Sequence, residues 1–97
     1  MSIPKFTGIE KSYYFNGTLK SEVFMLNGKE NGVKKIYYPN GQVQFEIEFI
    51  NGIKNGLFKS YYELGQLESE INYIAEKEIG SGKWYSPTGE LQYEVDF

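Results

Sequence analysis

The chain has 97 residues, the length of one small domain, and its ten basic residues, all Lys, are outnumbered by 13 Asp and Glu, giving a net charge of −3. It contains no Cys and no His, which removes the usual ligands of zinc and iron sites and the usual nucleophile–base pairs of enzymes. The absence of Arg and the acidic balance argue against a nucleic-acid or anionic-membrane partner. The composition therefore predicts a protein that is not an enzyme and binds no cofactor.

Two further properties bear on compartment and fold class. The N-terminus, Met1–Thr7, lacks the basic start and apolar run of a secretory signal, and no segment approaches the roughly 18 apolar residues of a membrane span. We therefore expect a cytoplasmic protein. Aromatic residues make up 18% of the chain, Gly occurs eleven times and Ala once. This excess of β-formers and turn residues over helix formers predicts an all-β fold.

The chain repeats itself every 24 residues, starting at Gly8, Gly32, Gly56 and Gly80. With these glycines as position 0, all four copies have Lys at position 3, Tyr at position 5, Gly at position 9, Leu or Val at position 11, Glu at position 14 and Val or Ile at position 15. Six columns in phase through four copies indicate a repeat architecture. We expect one repeat domain whose units are 8–31, 32–55, 56–79 and 80–97.

Each unit has the pattern of a β-hairpin. In the second unit, the β-rich run 33–38 is followed by a turn at Asn40-Gly41 and by the run 43–49, in which apolar and polar residues alternate. An Asn-Gly step between two such runs is a strong hairpin signal, and a second turn at Asn51-Gly52 leads into the next unit. Short turns make consecutive strands neighbours. The sequence therefore predicts an elongated single antiparallel meander sheet of about four 24-residue hairpin repeats, with about eight strands.

This pattern resembles the MORN-repeat variant found in many bacterial proteins. The shared motif is Gly-x-x-Lys-x-Tyr-Tyr-x-Asn-Gly-x-Leu/Val-x-x-Glu, closed by Asn-Gly-x-x-x-Gly, and it extends from Gly8 to Phe97. The resemblance implies an elongated sheet of hairpins. Some members are described as antitoxins of toxin–antitoxin or toxin–immunity pairs, so it also implies a protein partner. The third unit departs from the motif, since Glu63-Leu64-Gly65 and Ala75-Glu76 replace the two Asn-Gly turns.

The sizes of the residues at positions 4 and 13 predict the strand register. Small meets small and large meets large in every unit: Ser12 with Ser21, Ile36 with Phe45, Ser60 with Ser69, and Trp84 with Tyr93. Directly opposed side chains must match in this way, so positions 4 and 13 are predicted to face each other. The same register opposes each Lys of position 3 to a Glu of position 14, as a solvated ladder of ion pairs. It also opposes position 6 to position 11, as in Tyr38 with Val43.

The first turn of each unit is compatible with two geometries. A two-residue type I′ loop at positions 8 and 9 gives this register but needs φ > 0 at both residues, which Leu64 and Thr88 should resist. A three-residue loop with Gly in the left-handed position suits Pro39 and Pro87, but it shifts the register by one residue and so exchanges the faces. The size matching favours the first register, while the turn type stays open.

In this register the sheet has two unlike faces. The apolar face is expected to carry positions 6, 11, 13, 15 and 17, so that Leu19, Val43, Leu67 and Leu91 lie on it. The opposite, tyrosine face carries the row of Tyr13, Tyr37, Tyr61 and Tyr85 between the Lys and Glu columns. A single sheet has no second layer to cover an apolar face. Three solutions are open: the sheet curls on itself, two copies pack as a homodimer, or another protein covers the face.

The tyrosine row is the sharpest candidate for partner binding, because Tyr is enriched at interface centres, although repeated aromatics also stabilise neighbouring strands. Trp84 is a candidate hot-spot residue or a cap on the open end of the sheet. Glu68 and Glu70 belong to an acidic cluster with Glu76 and Glu78, which would steer a basic partner or maintain solubility. The fourfold repetition of the Glu column favours ion pairs over a catalytic carboxylate pair.

These features together predict a non-enzymatic protein-binding module with no cofactor or metal site. The resemblance implies an antitoxin, immunity or inhibitor-type role, in which the sheet occludes a partner protein such as a toxin or nuclease. The alternative is a structural module that self-associates and scaffolds other components. No direct contact with nucleic acid or membrane is expected.

Overall fold

The computed structural model describes residues 5–97, which form nine β-strands. The strands are β1 (Gly8–Tyr13), β2 (Leu19–Leu26), β3 (Lys29–Glu30), β4 (Gly32–Tyr37), β5 (Val43–Ile50), β6 (Ile53–Tyr61), β7 (Leu67–Ile74), β8 (Lys77–Tyr85) and β9 (Leu91–Asp96). Within these described residues there is no helix long and apolar enough to cross a membrane. Residues 1–4, part of the N-terminal segment in which no secretory signal is expected, lie outside the described residues.

All nine strands belong to one open antiparallel sheet in the order β1-β2-β4-β5-β6-β7-β8-β9, with β3 paired to the end of β2. The predicted meander of hairpin repeats is therefore confirmed. There is one strand more than expected because the chain entering the second unit is interrupted at Asn31, whereas β6 and β8 run unbroken through the equivalent positions. The molecule is elongated and measures 50 × 34 × 16 Å.

The register inside each hairpin is the one that the side-chain sizes predict. The opposed pairs are Ser12 and Ser21, Ile36 and Phe45, Ser60 and Ser69, and Trp84 and Tyr93. The two serine pairs are joined by hydroxyl hydrogen bonds of 2.5 Å, whereas the Trp84 and Tyr93 rings stack with their centroids 5.2 Å apart. The matched sizes thus reflect direct opposition across the hairpin.

A β-bulge at position 12 reconciles this register with a three-residue loop. In each hairpin, position 5 pairs with position 11, as Tyr37 with Val43, and the residue at position 12 is unpaired in the ladder. The predicted pairing of Tyr38 with Val43 is therefore wrong by one residue. The loop is closed because the Tyr38 N–H donates to the Gln42 carbonyl at 2.8 Å and the Gly41 N–H donates to the Tyr38 carbonyl at 2.9 Å.

The three-residue loop removes the strain expected at position 8. Within this loop of the second unit only Gly41 has a positive φ, of 91°, so Leu64 and Thr88 fit the equivalent loops without adopting a left-handed conformation. Asn40 serves the turn through its side chain instead, since its Oδ1 accepts a hydrogen bond of 2.9 Å from the Gln42 N–H.

The turn between units is a two-residue loop with positive φ at both residues, which characterises type I′. It is formed by Asn27-Gly28, by Asn51-Gly52 and by Ala75-Glu76. Ala75 and Glu76 adopt φ values of 47° and 68° although neither residue type favours them. Two hydrogen bonds hold them there: the Ala75 N–H donates to Asn55 Oδ1 at 3.1 Å, and the Glu76 N–H donates to the Lys54 carbonyl at 2.8 Å.

The core is thin and lies on the apolar face around position 15. Val23 and Ile71 are only 5% and 8% exposed. Aromatic rings pack across the unit boundary, with the Phe45 and Phe58 centroids 5.6 Å apart. The sheet neither closes on itself nor gains a second layer within the described residues. Neighbouring units therefore cover part of one another's apolar side chains, while cover by a second copy or by another protein stays a prediction.

The tyrosines at position 6 complete this cover. The hydroxyls of Tyr14, Tyr38 and Tyr62 donate to main-chain carbonyls in the following unit, those of Tyr37, Tyr61 and Tyr85 respectively. Each ring therefore spans a unit boundary and is held at both ends. In the fourth unit Ser86 occupies this position, so the same bond is not available beyond β9.

Candidate protein-binding face

The tyrosine row shares its face with the column at position 11. The pairs that show this are Tyr13 with Leu19, Tyr37 with Val43, Tyr61 with Leu67, and Tyr85 with Leu91. Directly paired residues of an antiparallel ladder project from the same face. The expectation that position 11 lies on the apolar face is therefore wrong, because the bulge at position 12 interrupts the alternation between positions 11 and 13. Each tyrosine thus has an aliphatic neighbour on its own face.

The hydroxyls of the two central tyrosines are fixed by the preceding unit. Tyr37 donates to Glu22 Oε1 at 2.7 Å, and Tyr61 donates to Glu46 Oε1. Burial, followed by the hydrogen bond to the carboxylate, raises the pKa of Tyr37 and of Tyr61 to about 12, since both effects disfavour the phenolate. These tyrosines therefore join neighbouring units, and what they offer a partner is their half-exposed rings.

The ends of the row differ from its centre. Tyr13 is 59% exposed, because β1 has no preceding unit among the described residues. Tyr85 is half-buried, and within residues 5–97 its hydroxyl makes no hydrogen bond to Glu70, the carboxylate equivalent to Glu22 and Glu46. The row is therefore rigid at its centre and open at Tyr13.

Lys and Glu alternate across the middle of the tyrosine face. The predicted pairing of positions 3 and 14 is confirmed within the hairpins, and it continues across unit boundaries, for example between Glu22 and Lys35. The expected ladder of ion pairs is nevertheless wrong. Within residues 5–97, the ion pair that forms is Lys34 Nζ to Glu30 Oε2, at 2.9 Å and outside this row. Tyrosine hydroxyls engage the central Glu side chains instead, and an exposed Lys–Glu pair is too weak to compete.

Trp84 lies on the opposite face from the tyrosine row. Its ring stacks on Tyr93 at an interplanar angle of 19°. It also covers Gly82, where a Cβ atom would come within 2.8 Å of the indole ring. In the fourth unit, therefore, a glycine at position 2 makes room for the large Trp84 ring at position 4. This packing favours the role of a cap on the last hairpin over that of a hot-spot residue beside the tyrosines.

Glu68 and Glu70 do not form one acidic patch. Glu68 occupies the bulge position and accepts a 3.0 Å hydrogen bond from Ser60 Oγ, on the apolar face. Glu70 pairs with Lys59 and Lys83 on the tyrosine face. Of the seven predicted binding residues, the structure therefore brings together the four tyrosines and Glu70, and it separates Trp84 and Glu68 from them.

The tyrosine face also carries exposed apolar residues that the sequence reasoning missed. A first apolar cluster consists of Ile9, Phe24 and Val33, which are 64%, 41% and 44% exposed. With Glu22 and Lys35 they line a shallow cleft of about 290 Å³. The signal was present, because position 1, held by Ile9 and Val33, lies two residues before the Lys column and so on the same face.

A second apolar cluster, Ile50 and Ile53, lies nearer the type I′ turns. Ile50 and Ile53 oppose each other and line a second shallow cleft together with Ala75. Ile50 is 52% exposed and Ile74, its equivalent in the next unit, is 55% exposed. Position 18 lies four residues after the Glu column, so this cluster also belongs to the tyrosine face. The face therefore combines rings, aliphatic clusters and balanced charges, which is the chemistry of contact with another surface.

The MORN repeat variant family matches the chain over residues 6–27, 30–51, 54–75 and 78–97. The chain belongs to this family. MORN repeats are non-enzymatic modules that generally bind proteins or membranes. No curated protein and no solved structure matches the chain with significance.

The boundaries of the family's repeats place both partners of one hydrogen bond, the bond that holds the turn between units, inside the same repeat. In the repeat 30–51, Asn31 Oδ1 accepts a hydrogen bond of 3.1 Å from the Asn51 N–H, and in the repeat 54–75 Asn55 does the same for Ala75. Thr7 Oγ1 accepts from the Asn27 N–H in the first repeat. One MORN repeat is therefore a hairpin together with the polar side chain that fixes its closing turn.

Proposed function

We propose that this MORN-repeat protein is a non-enzymatic protein-binding module of the antitoxin or immunity type, whose tyrosine face docks onto a partner protein, such as a toxin or nuclease, and occludes it. The observation that carries the proposal is the pair of exposed apolar clusters on a face that is otherwise fixed by hydrogen bonds. Exposed apolar groups of this kind mark interaction sites on soluble proteins. The antitoxin role is supported by the resemblance to bacterial antitoxins built from such repeats.

The difference in exposure between the faces favours the tyrosine face. On the apolar face, inner residues such as Ile71 are buried by the neighbouring unit. On the tyrosine face, Val33 and Ile50 of the second unit are 44% and 52% exposed although both lie within inner strands. A partner that covers them gains about 25 cal/mol for each Å² of apolar area removed from water.

The fixed centre of the tyrosine row lowers the entropic cost of docking. Tyr37 and Tyr61 are tied to Glu22 and Glu46 before any partner arrives. A preorganised aromatic surface loses little side-chain freedom on binding. The alternating Lys and Glu side chains then favour a partner with a matching alternation, because opposed like charges penalise a wrong register.

The test uses two variants with the same change of charge. Ile9→Glu with Ile53→Glu alters both apolar clusters of the tyrosine face, whereas Phe15→Glu with Leu64→Glu places two carboxylates in hairpin loops, at residues that are 108% and 81% exposed. A partner captured from the native host is then expressed alone and with each form of the protein. We expect it to inhibit growth alone, to be neutralised by the wild type and the loop variant, and to escape the tyrosine-face variant.

Two results would contradict the proposal at different levels. Neutralisation by the tyrosine-face variant would exclude this face as the docking surface. A captured partner that is harmless when expressed alone would exclude the antitoxin role and leave a binding module of another kind.

A further inference from the structure

The two outer strands of the sheet, β1 and β9, are complementary to each other. We propose that copies of this chain associate head to tail, with β9 of one copy pairing antiparallel with β1 of the next. Neither outer edge has a neighbouring strand among residues 5–97. The proposed occupant of each edge is a second copy of the same chain, and the contact is separate from the tyrosine-face function proposed above.

The boundaries between units inside the chain supply the rule for this contact. At each boundary the Glu of position 14 opposes the Lys of the next unit, and position 13 opposes position 4 of the next unit. The second kind of pair always joins a serine to a large residue: Ser21 to Ile36, Phe45 to Ser60, and Ser69 to Trp84. Boundaries are therefore complementary both in charge and in size.

A junction between β9 and β1 of two copies obeys the same rule. Glu94 of one copy would oppose Lys11 of the next, and Tyr93 would oppose Ser12. The match exists because hairpins with small and large pairs alternate along the chain, so the last unit carries a large pair and the first a small one. Pairing β9 with a second β9 offers Glu94 no lysine.

A hydrogen bond found inside the chain would also be restored. Tyr37 and Tyr61 donate to the Glu of the preceding unit, and in a head-to-tail junction Tyr13 would reach Glu94 in the same way. Both residues are exposed in the single copy. Tyr93, Val95 and Phe97 are 56%, 40% and 47% exposed, and the added strand would cover them as inner units cover their equivalents.

The junction should be weak and open-ended. Ser86 stands where Tyr14, Tyr38 and Tyr62 make their bond to the following unit, so one inter-unit contact is missing. A contact between two different edges does not close into a symmetric dimer and instead generates a series of oligomers. We therefore expect association that grows with protein concentration, through dimers to longer assemblies.

Single-cysteine variants test the geometry directly, because the chain has no cysteine of its own. Ser12→Cys and Tyr93→Cys are prepared separately, mixed and oxidised, and Lys11→Cys with Glu94→Cys tests the adjacent pair, since side chains are closer in one of two successive cross-strand pairs. Random oxidation of an equimolar mixture gives as much mixed disulfide as the two homodimers combined, so we expect the mixed disulfide to exceed that sum in at least one mixture. A random distribution in both mixtures, dominance of a homodimer, or no cross-linking in either mixture would overturn the proposal.

Charge reversal gives an independent measurement by sedimentation over a range of concentrations. Glu94→Lys removes the acceptor for Tyr13 and places a second lysine beside Lys11, so it should weaken association by about tenfold, which corresponds to about 1.4 kcal/mol. Adding Lys11→Glu removes the contact between like charges and should recover part of this loss. The matched control is Glu70→Lys, in the same column but between Lys59 and Lys83 of its own chain, which should leave association unchanged. An unaltered Glu94→Lys variant, or a double variant that is not rescued, would contradict head-to-tail pairing.

Discussion

The first and last units both have Val at position 15, but the two side chains differ in burial. Val23 is 5% exposed, whereas Val95 is 40% exposed. Val23 lies on β2, between β1 and β4, whereas β9 has a neighbour only on its inner side among the described residues. Burial in this sheet therefore comes from the next unit along the chain rather than from a second layer, as expected for a solenoid-like repeat in which stability accumulates between neighbours.

Truncating the two valines should give the largest difference in stability between the inner and the outer unit. Val23→Ala removes two buried methyl groups and should lower the free energy of unfolding by about 2 kcal/mol, from lost burial plus a residual cavity. Val95→Ala removes the same atoms from a partly solvated site and should cost less than about 1 kcal/mol. Urea unfolding followed by circular dichroism measures both values. Equal losses would show that cover by the next unit does not control burial.

The same contrast between inner and outer units applies to the tyrosine row. Tyr61→Phe removes the hydroxyl that binds Glu46 and should destabilise the protein by about 1 kcal/mol. Tyr13→Phe removes an exposed hydroxyl from β1 and should leave stability nearly unchanged in the monomer, measured at low protein concentration. If both variants match the wild type, the tyrosine–glutamate bonds do not join the units.

The pH dependence of stability sharpens that contrast. The pKa of Tyr37 and of Tyr61 is about 12 in the folded protein, against 10.0 for a free tyrosine. A pKa raised on folding contributes stability that is complete below pH about 10 and is lost as the pH rises towards about 12, because the unfolded chain deprotonates first. The difference in unfolding free energy between the wild type and a Tyr37→Phe/Tyr61→Phe variant should therefore shrink over this interval. A difference in unfolding free energy that stays constant between pH about 10 and about 12 would contradict the raised pKa of Tyr37 and Tyr61.

The hairpin register followed from the sequence because opposed residues at positions 4 and 13 change size together. The bulge did not, since both loop lengths are compatible with the residues around Gly41, and only the closed hairpin shows which is used. Because of that one unpaired residue, the sequence placed the Leu19 column on the apolar face and Glu68 in one cluster with Glu70, and both predictions are wrong. The capture of Glu22 and Glu46 by tyrosines also escaped prediction, because it depends on distances between units rather than on pairing within one.

The smallest effect concerns the turns between units, where the second and third units differ. Asn51-Gly52 suits positive φ, whereas Ala75 and Glu76 are held at 47° and 68° by hydrogen bonds to Asn55 and Lys54. Replacing Ala75-Glu76 by Asn-Gly keeps both main-chain donors and removes the cost of left-handed conformations, so it should stabilise the protein by about 0.5–1 kcal/mol. The reverse exchange at Asn51-Gly52 should destabilise it by a similar amount. Thermal unfolding of both variants, compared with the wild type, measures these two changes in stability. Loss of stability in the Ala75→Asn/Glu76→Gly variant would mean that the two side chains, and not the hydrogen bonds of their main chain, hold this turn.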